Sequence, residues 1–131
     1  EIAKNPRTKD RMYVLATWHE EVVQRFESQK SNPKPTYETE LHVLRIGDAV
    51  VCTNSFELFT DYGIRIKARS KAVQTFLVQL AGPGTYLPTE KAVRGGGYSA
   101  VVQSGLVGPE GGQMLVDRTV EAIDAMWAKP N

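Results

Sequence analysis

The sequence predicts an α/β fold: a small mixed sheet with a β-hairpin and a parallel crossover, flanked by about three helices and forming part of a larger domain. Three observations predict it. Two β-rich runs, Glu40 to Ile46 and Ala49 to Thr53, flank Gly47-Asp48, the two-residue signal of a hairpin. Ala49-Val50-Val51-Cys52 has no polar alternation and so reads as a strand in the sheet interior. A helical stretch then leads to a second apolar run, Thr75 to Leu80, also read as interior, and a helical crossover makes two strands of one sheet parallel.

The chain opens on Glu1-Ile2-Ala3-Lys4, neither an initiator nor a signal peptide, so its 131 residues read as the tail end of a longer protein. Asn5-Pro6 is a helix start, because Asn caps free N–H groups and Pro suits the first helical position. Leu15, Trp18, Val22 and Phe26 recur at helical spacing, with Met12 and Val23 widening the stripe and Glu20, Glu21, Gln24 and Arg25 opposite. This predicts an amphipathic helix from about Pro6 to Ser28. Pro33 and Pro35 impose an extended linker after it. The organisation is a leading helix over 1–30, a linker over 31–38 and an α/β portion over 39–131.

Past the hairpin, Ser55 is placed to cap a helix from about Phe56 to Ala68. Phe59, Tyr62 and Ile66 form its buried stripe, and Arg65, Lys67 and Arg69 favour its C-terminal end. Gly63 inside it costs about 1 kcal/mol relative to alanine and implies tight packing there. The stretch from Gly82 to Pro109 is rich in Gly and Pro, with room for one short helix near Glu90 to Val93. A loop region of that length usually serves a site or a partner. The last helix follows Gly111-Gly112 and carries Val116, Val120, Ile123 and Trp127 on one stripe.

Apolar content of 41% and charged content of 24% fit an ordinary globular domain. A net charge of +1 with interspersed signs leaves no basic face for nucleic acid and no polybasic membrane signal. The apolar runs are too short to span a bilayer, so no transmembrane segment is expected. Cys52 is the only cysteine, which excludes an internal disulfide and leaves the redox compartment open. It reads as a small buried hydrophobe.

The chemistry gathers at the carboxyl ends of the two apolar strands, where open α/β folds place their sites. Glu57, read in the first turn of a helix, faces the positive end of the helix dipole, which keeps it ionised as a base or metal ligand. Acids also favour first turns without any function. Tyr86 follows Gly82-Pro83-Gly84-Thr85, and Tyr98 follows Gly95-Gly96-Gly97. A phenol can anchor a loop, donate to a developing oxyanion or ligate a metal once deprotonated. His19 and His42 show no ligand spacing. The glycine runs match no nucleotide-binding loop, and close packing and turns are their ordinary use.

As a set, Leu44-Arg45-Ile46-Gly47-Asp48-Ala49-Val50-Val51, Glu57, Thr75 to Ala81, Tyr86-Leu87-Pro88-Thr89-Glu90 and Gly97-Tyr98 resemble one family. It is the neutral/alkaline (non-lysosomal) ceramidases and their bacterial relatives, of which the chain resembles the C-terminal part of the catalytic domain. The resemblance runs over about Leu41 to Trp127; Gly95-Gly96-Gly97 and Gly108 to Gly112 depart from the family pattern. It implies a zinc amidohydrolase that cleaves an N-acyl, ceramide-like amide bond. Glu57 and Tyr86 would be metal ligands, two histidines would come from an N-terminal segment of the same protein, and Tyr98 would act near the substrate carbonyl. This part alone would be inactive and hold no tight zinc. The resemblance also implies a secreted or periplasmic parent and, with its covering segment missing, either self-association through apolar surface near Tyr86, Leu87 and Tyr98 or disorder between about Gly82 and Pro109. The reading of another class is a non-catalytic module that docks a partner through the Gly/Pro-rich loop face.

Overall fold

The computed structural model describes residues 6–32 and 34–128. The chain divides into two units, one reaching Thr36 and one starting at Tyr37. In the first, helix α1 spans Pro6–Ser31, three residues longer than the stripe predicts because Glu27 pairs with Lys30 at 2.8 Å in its last turns. Leu15, Trp18 and Val22 are half-buried, while Met12, Val23 and Phe26 are exposed. The expected Asn5 cap and Pro33 lie outside the described residues.

The second unit has the mixed α/β architecture. Strands β1 (Leu41–Ile46) and β2 (Ala49–Asn54) form an antiparallel hairpin with Leu44 opposite Val51. Gly47 takes a φ of 60° at its tight turn, a left-handed conformation that glycine adopts without steric cost. A two-residue strand β3 (Glu57–Leu58) follows, then helix α2 (Thr60–Arg69) and strand β4 (Gln74–Val78), which runs parallel to β2. The order β1-β2-β4 puts β2 in the middle and β4 at an edge, so the interior position expected for the second apolar run is corrected. Strand β5 (Tyr86–Leu87), helix α3 (Glu90–Gly95), a 3-10 turn (Tyr98–Ala100) and helix α4 (Pro109–Trp127) complete it. The described residues thus hold four α-helices, the short one expected near Glu90 included, around the expected small mixed sheet.

One face of the sheet carries the core. Val50 and Cys52 of β2 point to α2 and α4, where Tyr62, Ile66, Leu115, Val116 and Ile123 close over them. A Cβ on Gly63 would lie 3.3 Å from Leu77 Cδ2, the tight packing its position implies. On the polar seam between α2 and α4, the Asp117 carboxylate accepts from Gln113 at 2.8 Å and from Arg69 at 2.6 Å. These two bonds, Gln113 first, hold its pKa below the ordinary value. The clamp is therefore present above the ordinary carboxylate range and is lost as pH falls through the lowered value. At the other end Arg45 stacks 3.9 Å over the Trp127 ring and donates to Met126 O at 2.5 Å.

Cys52 has no exposed surface, and burial pushes its thiol up to about 11. A neutral, enclosed thiol is a poor nucleophile. We expect no reaction with a disulfide reagent at pH 8 in the native state and one reactive thiol per chain in denaturant. Rapid native labelling would mean that the α2/α4 layer opens.

Candidate functional site

The expected helix over Phe56 to Ala68 is shorter at its start, and Glu57 is not in its first turn. Helix α2 begins at Thr60, with Phe59 as an N-cap that offers no side-chain cap. The cause lies in two side chains. Asn54 Oδ1 accepts the Phe56 N–H at 3.0 Å, a side-chain turn that diverts the chain at the end of β2. The Ser55 hydroxyl bonds Thr39 Oγ1 at 2.7 Å and is not a helix cap. Glu57 therefore lies outside the first turn of α2, where the helix dipole would have kept it ionised.

Glu57 sits instead on β3, as the parallel register partner of Tyr86 on β5. Its N–H donates to Thr85 O at 3.1 Å. The diverted segment is also stitched to the end of β4, with Ala81 N–H on Asn54 O at 2.9 Å and Leu80 N–H on Phe56 O at 3.2 Å. Leu80 takes a φ of 56° at that bend, a left-handed conformation that costs a branched side chain of order 1 kcal/mol or more. Strain held beside a cluster of polar side chains is a common mark of a site.

Tyr86 and Glu57 stand side by side on adjacent strands. Hydrogen bonding toward the Glu57 carboxylate, then desolvation and the Glu57 charge, raise the pKa of the Tyr86 phenol, while hydrogen bonding with Ser99 works against them. Tyr98 stands edge-on to the Tyr86 ring, centroids 6.1 Å apart, and is 68% exposed. All three residues singled out in the sequence therefore meet in one place.

Ser104 and Gly105 hold the two tyrosines. Ser104 accepts the Tyr86 N–H on its carbonyl at 3.3 Å and donates its buried hydroxyl to Tyr98 O at 2.6 Å. A Cβ on Gly105 would lie 2.9 Å from Tyr86 O, so only glycine lets the loop approach this closely. At the first bend, a Cβ on Gly84 would fall 1.9 Å from Ser55 O. Asn54, Gly84, Ser99, Ser104 and Gly105 were not singled out as site residues from sequence. The Asn54-Ser55 break and the Gly-Pro-Gly run were visible signals, but nothing marked Ser99 or Ser104.

Leu87 is fully buried and Thr89 caps α3 by accepting from Ala92 N–H at 3.2 Å. The apolar exposure expected around Tyr86, Leu87 and Tyr98 is thus corrected for Leu87, whose side chain faces the core from the register that points Tyr86 outward. Beside Phe56 lies a half-open hollow of about 350 Å³, lined by Tyr37, Leu41, Phe56, Val107, Met114 and Leu115 among others. Of the histidines, His42 engages Thr53 Oγ1 at 3.2 Å and Glu40 at 3.8 Å, and His19 lies on α1 in the other unit. Among the described residues no group of three His, Cys, Asp or Glu side chains could hold a metal ion. No helix among them is long and apolar enough to cross a membrane.

The arrangement offers two oxygen donors on adjacent strands, a carboxylate and a phenol. Oxygen donors of this kind would suit part of a site for a hard or borderline cation. The exposed Tyr98 phenol adds a hydrogen-bond donor at its rim. No family model, curated protein or solved structure matches the chain.

Proposed function

We propose that the chain is the C-terminal portion of a zinc-dependent amidohydrolase that cleaves an N-acyl, ceramide-like amide bond. Glu57 and Tyr86 are two of its four metal ligands, and two histidines come from an N-terminal segment of the same protein. The observation that carries this reading is convergence. The residues that the ceramidase resemblance picks from three separate segments meet through one strand register and one ring contact. Zinc in such a site supplies Lewis-acid polarisation of the amide carbonyl and a lowered pKa for water.

The chain's own residues have separable roles. Glu57 would hold the metal through its carboxylate, beside Tyr86 on the neighbouring strand. Tyr86 would hold it as a phenolate, since ligands bind metals in their deprotonated form. Tyr98, outside the pair and exposed, donates to the oxygen on which negative charge develops. The apolar hollow beside Phe56 is of a size and lining that suit an acyl chain.

A carboxylate and a phenol lack the imidazole nitrogens that supply much of zinc affinity. The 131-residue chain alone is expected to bind no zinc at submicromolar affinity by calorimetry and to cleave no amide. With millimolar imidazole standing in for the missing ligands, cobalt(II) as a visible stand-in for zinc should show tetrahedral absorption bands. Glu57→Gln and Tyr86→Phe should each abolish them. Submicromolar zinc without imidazole, or cobalt bands indifferent to both substitutions, would overturn the half-site.

One observation favours a second reading. Tyr98, Val102 and Leu106 are all large, apolar and exposed on the loop between α3 and α4. Such a cluster suits a non-catalytic module that docks a partner protein through this loop face. Cobalt binding indifferent to Glu57 and Tyr86 would leave that reading standing.

A further inference from the structure

The sheet's second face and its two edges differ in a way that the site does not explain. Residues alternate between faces along a strand. The register therefore sets Leu44, Val51 and Phe76 in one row on the face opposite the core, with Ile46 and Val78 in the flanking rows. Leu44, Ile46, Phe76 and Val78 are all exposed. Among the described residues β4 is paired only with β2, which leaves its outer side a free row of backbone donors and acceptors.

Free edges are usually guarded by charge, proline, bulges or a covering element. The β1 edge is guarded. It carries Arg45, engaged with Met126 and Trp127 at the end of α4, and His42 beside Glu40. The β4 edge is not. Gln74 to Leu80 reads Gln-Thr-Phe-Leu-Val-Gln-Leu, with no charge and no proline. Val73 just before it is 85% exposed. An uncharged strand meets its own copy without repulsion, whereas like charges directly opposite each other are destabilising.

We propose that β4 is a homodimerisation edge. Two copies pair β4 to β4 antiparallel about a twofold axis perpendicular to the sheet. They form one six-stranded sheet with both helical layers on the same side. The contact is isologous, so it closes at two copies and leaves no free β4 edge. Phe76 and Val78 of each copy pack across the seam. The buried Cys52 thiol takes no part, so the dimer is reagent-insensitive. This inference is independent of the metal-site reading and would stand without it.

Sedimentation velocity over a concentration series tests it on the full chain. The mass should move from 14.5 kDa toward twice that value as concentration rises, and backbone amides of residues 74–78 should gain exchange protection in parallel. Phe76→Lys and Val78→Lys, both at exposed positions that leave the core intact, should each hold the chain monomeric with an unchanged circular dichroism spectrum. Having two such variants guards against misfolding in one of them. Leu44→Lys, on the same face but away from the edge, should still dimerise. A wild-type monomer at all concentrations overturns the proposal, as does a dimer that survives both β4 lysines. Growth beyond two copies, or a dimer equally lost in Leu44→Lys, assigns association to the apolar face and also overturns it.

Discussion

Gly112→Ala should lower the thermal midpoint by roughly 4–15 °C, the largest single-site effect we expect on folding. A Cβ at Gly112 would fall 2.2 Å from both Cζ and Oη of Tyr62. Tyr62 cannot step aside, because it is only 1% exposed and its hydroxyl donates to Pro88 O at 2.8 Å and to Pro109 O at 3.3 Å. Overpacking of this kind costs about 1–3 kcal/mol, and loss of the hydroxyl's bonds leaves buried carbonyls short by about 1 kcal/mol more. Alanine's better helix propensity returns about 1 kcal/mol within α4. The net is about 1–3 kcal/mol. The paired test is Tyr62→Leu in the Gly112→Ala background, which should recover part of the loss, a coupling that a double-mutant cycle reads directly. A Gly112→Ala chain melting within a degree or two of the parent would show that α2 and α4 tolerate being moved apart.

Gly84→Ala should have the largest effect on the site. Here the obstacle is backbone: the added Cβ would lie 1.9 Å from Ser55 O and 2.4 Å from Ser55 C. No rotamer relieves that overlap, so residues 82–85 must lift away from 55–57. Thr85 O then leaves the Glu57 N–H, and the register that sets Tyr86 beside Glu57 goes with it. Displacements of about 1 Å at a site are worth about a hundredfold in rate where geometry controls chemistry. Imidazole-assisted cobalt binding should accordingly fall at least tenfold, with faster amide exchange at Glu57. Gly97→Ala is the control. It adds a Cβ with nothing within 4 Å and should leave binding unchanged. Equal cobalt binding by the Gly84→Ala chain would mean that the β3/β5 register does not build the site.

These two glycines also illustrate how differently similar sequence signals resolve. The Gly95-Gly96-Gly97 run is the denser one, yet only Gly96 is structurally required, as the left-handed C-cap of α3 with φ 68°. Gly95 and Gly97 face open space. Gly84 and Gly112 sit in less conspicuous company and are the ones pressed against backbone and a buried ring. Composition marks where glycine is frequent, whereas the need for it depends on what the fold brings within 4 Å.

Features encoded within a few residues are legible in the chain alone. The hairpin follows from Gly47-Asp48 between β-rich runs, the parallel β2/β4 pair from the helical crossover, and the α4 core face from Val116, Val120 and Ile123. Glu57, Tyr86 and Tyr98 were legible as candidates because each follows a break in an apolar strand or glycine run. Features that depend on partners far along the chain are set by the fold. A two-residue strand has no periodicity, so β3 exists only through Tyr86 and Thr85, and Glu57 moves from a helix turn to a sheet for that reason. Ser55 was free to cap a helix until Thr39 claimed its hydroxyl. An apolar run such as Thr75 to Leu80 reads the same at a sheet's centre and at its edge, because the lateral neighbour of a strand is set by topology and not by its own residues.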